Sequence, residues 1–85
     1  MGFSFEVEKP ANVEKTLERL KNEIIDSGGA LRGNEKSGHI SSDGVEGSYK
    51  VFADHIMITV IKKPLLYPEA AVEQYIRSEF RKASK

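Results

Sequence analysis

His39, His55 and the run Ser41-Ser42-Asp43 are the residues of this chain whose types could do acid–base, metal or nucleophilic chemistry. An imidazole ligates metals and carries protons near neutral pH. Neither histidine, however, has a second histidine or a carboxylate at ligand spacing along its own strand. The sequence has no cysteine, which removes thiol chemistry, disulfide staples and the usual zinc sites. No serine stands in a Gly-x-Ser-x-Gly elbow, and Ser41-Ser42 beside Asp43 reads as turn chemistry. Glu46 and Asp54 fall at different ends of the strands that carry them, so a paired-carboxylate site is not expected. Gly44-Val45-Glu46-Gly47 has the letters of the phosphate-clamping loop of one RNA-binding module. Here it begins a strand and places a carboxylate where a phosphate would approach. The expectation is a non-enzymatic protein with no catalytic, cofactor-binding or metal-binding residues.

Burial of apolar surface offers more candidates. Phe52, Met57 and Ile61 project among Lys50, Ser48 and Thr59 on a sheet face that should be wet, and read as an interface for a second copy or a protein partner. Leu65-Leu66-Tyr67, preceded by Lys62-Lys63, could touch a hydrophobic surface; the plainer alternative is that these leucines cap the core beneath the last helix. Tyr49, Tyr75 and Phe80 outline a groove between that helix and the sheet, suited to a small acyl or lipid-like ligand. An empty apolar cavity of about 300 Å³ would cost on the order of 7 kcal/mol at ~24 cal/mol per Å³. A roomy private pocket therefore needs a dimer or a bound ligand to support it.

The elements that position these side chains are legible. Asp43-Gly44 is a two-residue hairpin turn, because a type I′ loop needs positive φ at both positions. Counting outward pairs Ser42 with Val45, Ser41 with Glu46, Ile40 with Gly47 and His39 with Ser48. A second two-residue turn at Ala53-Asp54 opposes Val51 with Ile56, Tyr49 with Ile58 and Gly47 with Val60. Both turns select the same apolar face, and a slip of one residue would move that whole set to solvent. Gly47, on this face, is expected to let a helix or large side chain approach.

Phe3, Phe5 and Val7 alternate with Ser4, Glu6 and Glu8 as one more strand, closed by Pro10. Val13, Leu17, Leu20 and Ile24 recur at helical spacing, with Asn12 as N-cap and Gly28-Gly29 as the stop. Residues 30–37 read as a short irregular edge strand whose Arg32, Glu35 and Lys36 discourage foreign pairing. Pro68 suits the first position of a final helix, with Glu69 complementing its dipole. Val72, Tyr75, Ile76, Phe80 and Ala83 form that helix's apolar stripe, and Glu73, Arg77 and Arg81 a solvated row. The fold expected is α+β, a two-layer sandwich in the order β-α-β-β-β(-β)-α, with an antiparallel meander and both helices on one face.

At 85 residues the chain is one domain, residues 1–85, and its 39% hydrophobic and 31% charged composition is that of a globular protein. Thirteen basic and thirteen acidic residues cancel, so no global field attracts nucleic acid. A double-stranded-RNA-binding domain has a similar element order but needs a basic cluster where this chain has Tyr67-Pro68-Glu69-Ala70-Ala71. The longest apolar run is far short of the ~20 residues of a membrane span, and the residues before Phe3 are not expected to act as a leader. The expected location is the cytoplasm.

Gly44-Val45-Glu46-Gly47-Ser48-Tyr49-Lys50-Val51, Asp54-His55-Ile56-Met57-Ile58-Thr59-Val60 and Lys63-Pro64-Leu65-Leu66-Tyr67-Pro68, leading into Val72-Glu73-Gln74-Tyr75-Ile76, follow in an order that resembles the small bacterial family of polyhydroxyalkanoic acid system proteins. The resemblance implies a small α+β domain, similar in shape to the part of lipid-binding folds where a sheet grips a helix. It also implies association with the surface of storage-polyester granules, with no enzymatic activity and no catalytic residues to carry over.

Overall fold

The computed structural model describes residues 2–84. Seven elements follow one another: β1 (Phe3–Glu8), α1 (Val13–Asp26), β2 (Ala30–Gly33), β3 (Ser37–Ser42), β4 (Val45–Val51), β5 (His55–Lys62) and α2 (Glu69–Ala83). The strands form one antiparallel sheet in the order β1-β5-β4-β3-β2. The α+β order read from the sequence is the order found. Residues 30–33 do pair, as the edge strand β2, and β1 closes the opposite edge by pairing with β5.

The meander has the expected register. Ser42 faces Val45 and His39 faces Ser48, while Val51 faces Ile56 and Tyr49 faces Ile58. Asp43 and Gly44 both adopt positive φ, 53° and 81°, as a type I′ turn requires. At the other hairpin the Phe52 amide donates to the His55 carbonyl at 2.8 Å.

Gly47 has a different reason from the one expected. Pairing steps from Gly47–Val60 to Glu46–Lys62, which leaves Ile61 as the extra residue of a bulge in β5. A Cβ on Gly47 would stand 2.8 Å from the Thr59 carbonyl oxygen. The glycine admits the neighbouring backbone, not a helix.

In α1, the Asn12 side chain accepts from the Lys15 amide at 3.1 Å. At the other end the Gly28 amide donates to the Ile25 carbonyl and the Gly29 amide to the Ile24 carbonyl. That bond pair, with Gly28 at φ 91°, is a Schellman ending. Pro68 lies one position earlier than expected: it is the N-cap of α2, its ψ of 154° still extended. The proline carbonyl receives the Ala71 and Val72 amides, and Glu69 becomes the first helical residue.

Leu17, Leu20 and Ile24 of α1, joined by Thr16, are buried, as are Val72, Phe80 and Ala83 of α2. The sheet contributes Phe5, Val7, Leu31, Tyr49, Ile56, Ile58 and Val60 to the same core. Arg77 is not simply solvated: it pairs with Glu73 at 2.8 Å and lays its guanidinium 5.1 Å from the centre of the Phe5 ring. No helix among the described residues is long and apolar enough to cross a membrane.

Candidate functional site: the Asp43 end of the sheet

The sheet has two ends, named here for their turns. At the Asp43 end lie the 43–44 turn, the close of α1, the exit of β5 and the start of α2. The Asp54 end holds the 53–54 turn, the β2–β3 turn and the 9–12 connection.

Pro64–Pro68 builds the most exposed apolar feature. The Tyr67 amide donates to the Pro64 carbonyl at 3.1 Å, which closes a turn with Leu65 and Leu66 at its two central positions. Lys63 Nζ donates to the Tyr67 carbonyl at 2.7 Å, and Pro64 packs beside Gly44. The turn is thus fixed from both sides while Leu65 is 98% and Leu66 93% exposed. These leucines do not cap the core.

Tyr67 and Tyr75, both half-exposed, border a cleft of about 220 Å³ with Asp43, Val45, Ala71 and Val72. Among the described residues, the other exposed large apolar side chains at this end are Ile25, at the close of α1, and Ile61, at the bulge; Phe52 is the one such residue at the opposite end. Scattered exposed leucines are ordinary on soluble proteins. Six large apolar residues at one end of so small a molecule are not scattered.

The three residues read as one outer-face interface are strung along the sheet. Phe52 and Ile61 stand at opposite ends, roughly 20 Å apart at about 3.4 Å per residue of β5, with half-buried Met57 between them. Phe52 stacks on His55 at 4.9 Å and has Lys50 Nζ 5.5 Å from its ring centre, so it already has an aromatic and a charged neighbour within the chain.

Tyr49, Tyr75 and Phe80 are not brought into one groove. Tyr75 and Phe80 share a gap of about 30 Å³ with Ile40, Ser42, Ile76 and Glu79, close to the volume of one water molecule in the liquid. Ser42 Oγ is buried there with no hydrogen-bond partner among the described residues. Tyr49 turns toward the Asp54 end, where its ring covers Gly38 and its hydroxyl donates to the Asn34 carbonyl at 2.7 Å. Burial, then the nearby Glu35 carboxylate, raises its phenol above the ordinary value of 10.0.

Each histidine does meet a carboxylate, some of them from strands the sequence had not placed. His55 Nδ1 is 2.6 Å from Asp54 Oδ1 and its Nε2 is 3.4 Å from Glu6 Oε1 on β1. His39 Nε2 is 3.8 Å from Glu46 Oε1 across the β3–β4 pair. The hydrogen bond and charge of His55 hold the exposed Asp54 carboxyl below its ordinary 3.8. Among the described residues no group of three or more His, Cys, Asp or Glu side chains is placed to hold a metal ion.

A wider, charged groove of about 400 Å³ runs past Glu8, Lys9, Arg77 and Arg81 at the Asp54 end. The apolar site and the charged groove therefore sit at opposite ends. No protein-family model, curated protein or solved structure matches the chain.

Proposed function

We propose that this protein is a non-enzymatic accessory module that docks through the Asp43 end onto an apolar surface, either that of a protein partner or that of a hydrophobic, storage-polyester-like phase. The observation that supports the reading is the Leu65-Leu66 tip, almost wholly exposed on a turn whose backbone is already hydrogen-bonded. A tip held in place loses little conformational freedom on binding, so the burial of two leucines reaches affinity with little offset. A storage-polyester-like phase is supported by the family resemblance and by a formal net charge of zero, since a neutral phase calls for no global charge on the protein.

The test is cosedimentation with polyester particles and with uncharged detergent-stabilised oil droplets. The variant Leu65→Ser/Leu66→Ser should lose at least about tenfold in partitioning, on the scale of 1.5–3 kcal/mol per buried leucine, while its thermal midpoint stays that of the parent. Equal partitioning of variant and parent would sink the proposal.

A second reading, binding of a small acyl or lipid-like ligand, draws support from the cleft between Tyr67 and Tyr75 and none from the narrow gap behind Phe80. It predicts a retained apolar mass in native mass spectra that Tyr75→Ala removes.

A further inference from the structure

The two edges of the sheet are finished differently. β2 is four residues long and carries the exposed Arg32, and its connection to β3 is closed by Asn34, which accepts from the Lys36 and Ser37 amides. Short, charged edges of this kind resist pairing with other chains. β1 is six residues long, with exposed Glu6 and Glu8 as its charges, and pairs with β5 through all six residues, Phe3–Val60 to Glu8–His55, without a bulge, proline or lysine inside it. Among the described residues no strand lies on its other side. Its outward row of backbone donors and acceptors is a template for one more strand.

We infer that a second copy of this chain pairs with that edge, β1 antiparallel to β1 about a twofold axis through Phe5. The register follows from the side chains. Directly opposed residues of an antiparallel pair share a face, so the axis must pass through a residue or midway between two of like parity. With Phe5 on the axis, Phe5 meets Phe5, Phe3 meets Val7 on the helix-covered face, and Ser4 meets Glu6 on the open face. No two carboxylates then oppose each other. Moving the axis to Glu6 sets Glu6 against Glu6, a like-charge pair that destabilises a sheet.

The helical layer agrees with the choice. Arg77 lies over Phe5 and is already paired with Glu73 at 2.8 Å, so a twofold near Phe5 sets these two internally neutralised arginines at the centre and runs the Glu73-Arg77-Arg81 rows antiparallel, the acidic end of each toward the basic end of the other. The two five-stranded sheets become one of ten. This edge shares no residue with the Leu65-Leu66 tip, so the inference stands or falls independently of the docking function.

The experiment is sedimentation equilibrium at protein concentrations up to about 1 mM, with dimer constants compared among exposed-residue variants. Ser4→Lys sets two lysines against two Glu6 carboxylates and should tighten the dimer about tenfold; Ser4→Glu should weaken it about tenfold, and added salt should shrink both effects. Glu6→Gln should leave the constant within about twofold, since Glu6 opposes a serine. Amide exchange in residues 3–8 should slow as concentration rises. A chain monomeric throughout, a dimer that neither Ser4 variant moves, or one that Glu6→Gln tightens overturns the inference.

Discussion

The Asp54 end and the Asp43 end of the sheet are built by opposite means. At the Asp54 end polar atoms find partners within the chain: Lys9 Nζ donates to the Ala53 carbonyl, Tyr49 to the Asn34 carbonyl, the Val51 amide to the Lys36 carbonyl, and His55 lies between Asp54 and Glu6. Phe52, the one exposed large apolar group there among the described residues, stacks on His55 and lies 5.5 Å from Lys50 Nζ. At the Asp43 end the 64–67 turn is hydrogen-bonded too, yet Leu65 and Leu66 stand bare. Order at one end satisfies polar atoms; at the other it holds apolar side chains in water. Internal stability does not explain the second arrangement, which is why the functional proposal sits there.

Substitutions test the difference between the two ends. Tyr49→Ala should be the most damaging, removing a buried ring at a cost of about 3–5 kcal/mol, read from urea denaturation. Leu65→Ala and Leu66→Ala should each change stability by less than about 0.5 kcal/mol; a larger loss would mean that the tip supports the fold. Asn34→Ala deprives the Lys36 and Ser37 amides of their acceptor and should cost about 1 kcal/mol.

Tyr49→Phe should cost about 0.5–1.5 kcal/mol and change the alkaline limb. Because the folded pKa is raised, this phenol contributes stability that is complete below 10.0 and is lost as pH rises through the higher folded value. The phenylalanine variant should lack that alkaline loss. Asp54→Asn should have the smallest effect and the opposite pH sense. Its lowered folded pKa gives a contribution present above 3.8 and lost as pH falls through the folded value, so parent and variant should converge at the acid end of a pH series of melting curves.

The meander was legible because two local turns and strict alternation over Ile40, Val45, Tyr49, Val51, Ile56 and Ile58 each select one register. β1 was legible as a strand but not as a neighbour of β5, since the Phe3-Phe5-Val7 pattern says which face is buried and not which edge is joined. That is also why the approach of Glu6 to His55 was missed. The bulge at Ile61 depends on backbone spacing between β4 and β5, so the true office of Gly47 lay outside any pattern in the letters. Leu65-Leu66 pointed both ways, because two adjacent leucines after a strand are as common over a core as outside one. The proline on either side and Lys63 were the available signals that the segment is a rigid turn. Tyr49, Tyr75 and Phe80 share an apolar layer but not a pocket, a distinction that helix position decides and sequence spacing does not.

The strand order also has a temporal side. β3, β4 and β5 are linked by two-residue turns, whereas the Ser4–Thr59 hydrogen bond joins residues 55 apart in the chain. Closing that long loop is the slower step, so the hairpins assemble first and β5 keeps a vacant flank until β1 arrives. At about 5–20 residues per second of synthesis, β1 emerges from the ribosome roughly 3–11 s ahead of the strand it must join. Of this pair, the strand made earlier is placed later.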